Sequence, residues 1–224
     1  MSLYFHSMEL GALFDWDGVI IDSSLQHEES WEMLAAEAGK PLDPDHFLRG
    51  FGMKNQVIIP EILGWTNDPE EIQRYSLRKE YLYREIVKTR GIEPLPGVLD
   101  VLRMLAEHGI PCSVASSTHR ENIETIFDVI GVRPYFQAVV TAEDVSRGKP
   151  DPEVFLKAAG KIGRDPHHCV VFEDAHVGIE AGLAAGARVV AVATTNSIET
   201  LGRADLAVAS LKDVTWPVFR GLFA

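Results

Sequence analysis

The sequence predicts an α/β protein: a three-layer α/β/α core on a parallel sheet, interrupted near its start by a small all-helical unit. Three observations carry this expectation. Short, Val-rich apolar runs alternate with longer stretches of helical period. Those runs lack strict polar alternation, which suits strands covered on both faces. From about Ser24 to Arg90 the alternation stops and only helical patterns remain.

Taken in chain order, the first strand is Leu10–Phe14. Leu25–Ala38 has helical period and stops at Gly39, and Asn55–Leu63 stops at Gly64. Asn67-Asp68-Pro69 opens a long charged helix, Glu70–Arg90, closed by Gly91; its mixed signs predict a solvated face. Turn-rich segments at Asp22-Ser23 and Gly91–Pro96 frame this insertion. The expected division is therefore a core of residues 9–23 and 91–224 and a helical cap of residues 24–90. Further strands are expected at Pro111–Ala115, Ala138–Thr141, Cys169–Phe172, Arg188–Ala193 and Leu206–Val208. Gly109, Gly131, Gly163 and Gly186 each follow a helical period and suit the left-handed residue that ends a helix. Asp151-Pro152 has the form of an N-cap followed by a first-turn proline. Strand and helix repeated in this way imply right-handed crossovers, hence a Rossmann-like core.

The composition sets limits on function. A chain of 224 residues can bury one substantial core and a smaller satellite. Hydrophobic residues at 46% and charged residues at 24% argue against disorder. The net charge of −12 argues against nucleic-acid and anionic-membrane partners, both of which need clustered Lys and Arg. An anionic substrate must then be met by a local lysine or a bound metal. Cys112 and Cys169 lie in apolar runs outside any CxxC pair, so buried, reduced thiols and a cytoplasmic setting are expected. No apolar run approaches the roughly 20 residues of a membrane span. The opening MSLYFHSMEL lacks the basic-then-apolar layout of a signal peptide, and Met8 offers a second start. No stripe suggests an obligate interface, so a monomer is expected, with a homodimer as the alternative.

In open parallel sheets ligands bind beyond the carboxyl ends of the strands. After the first strand comes Asp15-Trp16-Asp17-Gly18, after the second Ser116-Ser117-Thr118, after the third Arg147-Gly148-Lys149-Pro150, and after the fourth Glu173-Asp174. Taken singly, such an aspartate is an Asx turn or a helix cap, and Ser116–Thr118 would cap a helix over Glu121–Ile130. Together the set suits phosphate chemistry. Clustered carboxylates need a cation, and hard oxygens suit Mg²⁺. Lysine and hydroxyl donors neutralise phosphoryl oxygens. A carboxylate can accept the phosphoryl group, and a second acid two residues on can serve the leaving group or a water.

Asp15-Trp16-Asp17-Gly18-Val19-Ile20-Ile21-Asp22-Ser23, Val114-Ala115-Ser116-Ser117, Gly148-Lys149-Pro150-Asp151-Pro152 and Phe172-Glu173-Asp174-Ala175, with Gly178 and Gly182, resemble the four ordered motifs of the haloacid dehalogenase-like superfamily. The closest resemblance is to its β-phosphoglucomutase and sugar-phosphatase-like branch. The resemblance implies Asp15 as nucleophile and metal ligand. It implies Asp17 as general acid/base, with its carbonyl on the metal, and Ser116 and Lys149 on the phosphoryl group. Asp174 would ligate Mg²⁺, with Glu173 in or beside the ligand set, and Asp22 would brace the loop. An acid at position 17 fits a phosphate ester, whose leaving alkoxide needs a proton, rather than a halide.

The resemblance further implies that the cap supplies specificity. His27 matches a histidine near the cap hinge in this branch. Leu48–Asn55 lies where the branch carries its substrate loop, so His27, Arg49 and Lys54, with Ser117 on the core, are expected on the substrate side. β-Phosphoglucomutases tend to carry an arginine near position 53, where this chain has Met53; the departure favours hydrolysis over mutase activity. The expected substrate is a small phosphorylated metabolite, with a sugar phosphate favoured. A phosphosugar mutase and a non-catalytic phosphometabolite binder are the alternatives. Trp31 and Trp65 are expected in the cap core, and His119 and His176 at helix starts.

Overall fold

The computed structural model describes residues 9–50 and 53–224. They divide into two compact units: one ends its first segment at Asp22 and resumes from Ile92 to Ala224, and the other is Ser23–Gly91.

The larger unit is a six-stranded sheet in the order β3-β2-β1-β4-β5-β6. The strands are β1 (Gly11–Phe14), β2 (Cys112–Ala115), β3 (Phe136–Val140), β4 (Cys169–Glu173), β5 (Arg188–Val192) and β6 (Leu206–Val208). Every pairing is parallel. β1 and β4 are neighbours at the centre, with Leu13 opposite Val171 and Phe14 opposite Phe172. All residues of β1, β2 and β4 are buried, which accounts for their unbroken apolar character. Leu13, Val171, Val189, Phe155 and Ile179 share one core cluster. Phe14 stacks on Phe172 with ring centroids 4.5 Å apart. Trp16 packs edge-on against Phe127 at 5.1 Å.

Gly109, Gly131, Gly163 and Gly186 all carry positive φ, as their positions after helical periods required. The helix after Asp151-Pro152 begins one residue later than expected, at Glu153, and Pro152 holds the cap position. Asp151 still acts as a cap, because its Oδ1 accepts the Glu153 N–H at 3.0 Å. The helix after β2 begins at Arg120, with His119 at its cap and no side-chain cap bond. Ser116 instead accepts the Thr118 N–H at 3.0 Å, so the serine organises the turn rather than the helix end.

The smaller unit is helical. Its helices are α1 (Ser24–Ala38), α2 (His46–Gly50) and α3 (Pro69–Arg90), and a short turn at Asn55–Val57 widens into a π-type turn at Ile58–Ile62. α3 starts where Asp68 accepts the N–H groups of Glu70 and Glu71. Trp31, Leu34, Ile59, Trp65, Tyr75 and Leu82 form its core. Trp31 and Trp65 meet edge-to-face at 6.1 Å, and Trp65 Nε1 donates to Pro41 O at 2.8 Å.

α3 has the solvated face that its mixed charges suggested, with Arg74, Arg78 and Lys88 exposed, but charge is not confined to that face. Its inner face buries Ser76, Lys79 and Glu80 beside Tyr83, Ile86 and Val87. The buried charges are paired, as burial demands. Lys79 Nζ lies 3.1 Å from Glu80 Oε1, which also accepts Asn55 Nδ2 at 2.8 Å. Among the described residues no helix is long and apolar enough to cross a membrane. Cys112 and Cys169 are buried free thiols, each pushed up to about 12, chiefly by burial.

Candidate active site

The site residues of the larger unit gather at the carboxyl ends of β1, β2 and β4. Past Phe14 the chain turns about the carbonyl of Trp16, which accepts the N–H of Ile20 at 2.9 Å, while Gly18 N donates to Ile21 O at 2.7 Å. Asp15 N donates to Phe172 O at 2.9 Å, which ties the start of this turn to the end of β4. Gly18 sits at φ 79, and a Cβ there would lie 2.0 Å from Asp174 Oδ2. Position 18 therefore needs glycine twice over, for its backbone angle and for the carboxylate beside it. Gly18→Ala is expected to cost about 1–3 kcal/mol, read as a fall in melting temperature. An unchanged melting temperature would show that the turn accommodates a side chain.

Lys149 is the hub of the cluster. Its Nζ lies 2.8 Å from Asp15 Oδ1 and 2.6 Å from Glu173 Oε1, with all three side chains largely buried. The peptide bond from Lys149 to Pro150 is cis. Glu173 is held from both ends. Its Oε2 accepts the N–H groups of Asp174 and Ala175, each at 2.8 Å, while Oε1 takes Lys149. A Cβ at Gly178 would lie 1.7 Å from Glu173 Oε1, so the glycine early in the helix His176–Ala184 makes room for this carboxylate.

Ligand oxygens of Asp15, Glu173 and Asp174 lie within 4.8 Å of one another. Asp17 is outside that set, but its charge bears on Asp174. Burial pushes the Asp15 carboxyl well above the usual carboxylate range; Lys149 pulls against this, and Glu173 and Asp174 add to it. Asp174 is pushed up to about 7 by burial and by Glu173, against the Thr195 hydroxyl and Lys149. Burial alone would lower the Lys149 ammonium, but Asp15 and Glu173 more than offset it and hold it above its ordinary value. One lysine thus faces three crowded carboxylates. An all-oxygen donor set with surplus negative charge fits a small divalent cation such as Mg²⁺.

Ser116 is buried at the end of β2, its N–H donating to Val140 O at 3.0 Å, whereas Ser117 is exposed. Ser116 Oγ accepts from Thr118 N, and its O–H keeps the capacity to donate.

In the helical unit the expected substrate residues have different surroundings. Arg49 is bound to its own surroundings, 3.4 Å from Asp43 and 3.5 Å from Asp45. Lys54 is exposed at the start of the Asn55–Val57 turn, and Phe51 and Gly52 of the expected substrate loop lie outside the described residues. His27 stacks on Tyr83 with ring centroids 4.1 Å apart, and its Nδ1 faces Lys79 Nζ at 2.5 Å. Burial, then Lys79, push the imidazole down to about 3, so the ring is neutral and Nδ1 accepts from the ammonium.

A family model described as haloacid dehalogenase-like hydrolase matches residues 11–186, most of the chain and all four motifs. The chain belongs to the haloacid dehalogenase-like hydrolases. Among relatives of this hydrolase, the chloroplastic 5-amino-6-(5-phospho-D-ribitylamino)uracil phosphatase of Arabidopsis thaliana is 37% identical over 92% of the chain. The chain spans 56% of that relative's length. Hexitol phosphatase A of Escherichia coli is 34% identical, covering 92% of this chain and 93% of its own. The crystal structure of a haloacid dehalogenase-like hydrolase of family IA, variant 3, from Entamoeba histolytica superposes with a TM-score of 0.85 at 28% identity, over 95% of this chain and 98% of that one. β-Phosphoglucomutases also occur among the relatives and the solved structures.

Two features of this hydrolase's structure were missed in the sequence. Lys79 lies in a helix whose mixed charges point only to its solvated face, yet it is buried on the inner one. Thr195 and Asn196, just beyond β5, bond to Asp174. Extending the search of strand ends to the fifth strand would have found the Thr194-Thr195-Asn196 run.

Proposed function

We propose that the protein is a Mg²⁺-dependent phosphatase of small phosphorylated metabolites, with a sugar or polyol phosphate as substrate, working through an aspartyl phosphate on Asp15. The observation that carries this reading is Lys149 held between Asp15 and Glu173 beside the Asp15, Glu173 and Asp174 oxygens. Two relatives whose names specify a phosphorylated ribityl compound and hexitols support the choice of substrate class.

In the proposed reaction an Asp15 carboxylate oxygen attacks phosphorus in line. The bond from phosphorus to the alcohol oxygen breaks, and Asp17 gives its proton to that oxygen. A water then attacks the phosphorus of the aspartyl phosphate and surrenders its proton to Asp17. Phosphate leaves, and the Asp15 carboxylate and protonated Asp17 are restored. Lys149 holds Asp15 as the attacking anion and meets a phosphoryl oxygen, and the Ser116 hydroxyl and the adjoining Ser117 donate to others. Bound Mg²⁺ would offset the negative charge shared by the carboxylates and the phosphoryl group. Asp15, Asp174 and the Asp17 carbonyl would hold it, with Glu173 beside them.

Phosphate release from a panel of sugar and polyol phosphates tests the reading, run beside conversion of β-glucose 1-phosphate. Turnover is expected to vanish with a chelator and return with Mg²⁺, while Ca²⁺, with its larger and looser shell, supports it poorly. Full turnover in chelator would sink the metal assignment. Isomerisation without phosphate release would mark a mutase instead, and binding without either reaction a non-catalytic protein.

We infer further that residues 24–90 act as a cap that reads the part of the substrate not transferred, with Lys54 and His27 as its polar groups. Arg49, already engaged by Asp43 and Asp45, is the weaker candidate. Lys54→Ala is expected to raise KM and reorder sugar phosphates while sparing acetyl phosphate, which offers the cap almost nothing to touch. The measurement is the ratio of kcat/KM values; equal losses on both substrates would remove the specificity role.

A further inference from the structure

The acid that ends the fourth motif is gripped from the neighbouring strand. Thr195 Oγ1 donates to Asp174 Oδ2, and Asn196 Nδ2 donates to the Asp174 backbone carbonyl at 3.0 Å. Both donors leave β5 through a tight turn in which Thr194 N bonds Val192 O at 2.9 Å, and Ala193 N is tied to Val208 O of β6 at 2.9 Å. β5 pairs directly with β4, with Ala191 opposite Glu173. The anchor is thus rooted in two strands of the sheet. The same Oδ2 abuts Gly18, whose absent side chain leaves room for it.

We propose that Thr195 and Asn196 are positioning residues for the metal site. They fix the rotation of the Asp174 carboxylate, with Oδ2 engaged by the threonine, where its oxygens lie near those of Asp15 and Glu173. A carboxylate on a strand-end turn would otherwise have to be ordered each time a cation bound, and outer partners of metal ligands remove that cost. Neither residue touches the phosphoryl group or carries a proton in the reaction. Their effect is on how tightly and where Mg²⁺ is held. This inference rests on the metal reading of the site given above.

The test is direct calorimetric titration of Mg²⁺ into the full chain, for the unaltered protein, Thr195→Val, Thr195→Ala and Thr195→Ser, alongside metal-free melting curves. Thr195→Val keeps the shape and removes the hydroxyl; Thr195 is exposed, so the fold should tolerate it. The expected result is a loss of about 10- to 100-fold in Mg²⁺ affinity for Val and Ala, near-complete recovery for Ser, and similar melting temperatures throughout. Unchanged affinity in Val and Ala would overturn the inference while leaving the metal reading intact. Equal losses in Ser and Val would also overturn it, because the hydroxyl would not be the active element. Failure of the unaltered protein to bind Mg²⁺ would overturn both readings together.

Discussion

Asp15→Asn is expected to lose turnover by on the order of 10³-fold or more, with the fold intact by circular dichroism. The amide keeps the side chain's size and its place beside Lys149, which retains Glu173 as its charged partner at 2.6 Å. What disappears is the anionic oxygen that must bond to phosphorus. Asp17→Asn provides the contrast: it leaves the nucleophile and removes the proton carrier. Both formation and breakdown of the phosphoenzyme should slow, by roughly 10²-fold or more for a lost acid/base group. A near-normal rate in Asp15→Asn would show that another group, or water itself, attacks the ester.

The second large effect is expected at Lys149. Lys149→Met removes the cation from between two largely buried carboxylates. Removing one partner of a buried ion pair typically costs about 3–5 kcal/mol, because the remaining charges are left uncompensated. Denaturant unfolding should register a loss of that size, and turnover should fall with it. Adding Glu173→Gln should recover part of the stability but none of the activity, since the amide can still accept the Asp174 and Ala175 N–H bonds. A single variant as stable as the unaltered protein would mean that the carboxylates do not depend on the lysine for their burial.

The core was legible because its signals are local or additive. Buried strands such as Val170-Val171-Phe172 leave an apolar run, and Gly131 or Gly186 marks a helix end through a backbone angle that other residues resist. The rim acids were legible because the rule that ligands meet strand ends converts strand positions into a list of neighbours. What escaped depended on which neighbour a side chain meets. Lys79 and Glu80 sit amid charges that look solvated, and only the packing of the inner face of α3 shows that both are buried and paired. Arg49 has the charge for a substrate contact, but Asp43 and Asp45, a few residues upstream, already claim it. Thr195 and Asn196 carry no charge, so nothing in their own types announces a bond to an acid 21 and 22 residues earlier. Glu173 was recognised as an acid of the site, yet its hold on two backbone N–H groups emerges only from the geometry of the turn.

The central claim is that phosphorus visits Asp15 before it reaches water. Two successive in-line displacements each invert the phosphorus centre, so their sum restores the starting configuration. The most direct test is the stereochemical course of transfer from a phosphate ester made chiral at phosphorus with oxygen isotopes to a trapping alcohol. Retention of configuration is the predicted result. Inversion would mean a single direct displacement, with no aspartyl phosphate on the path, and would contradict the account.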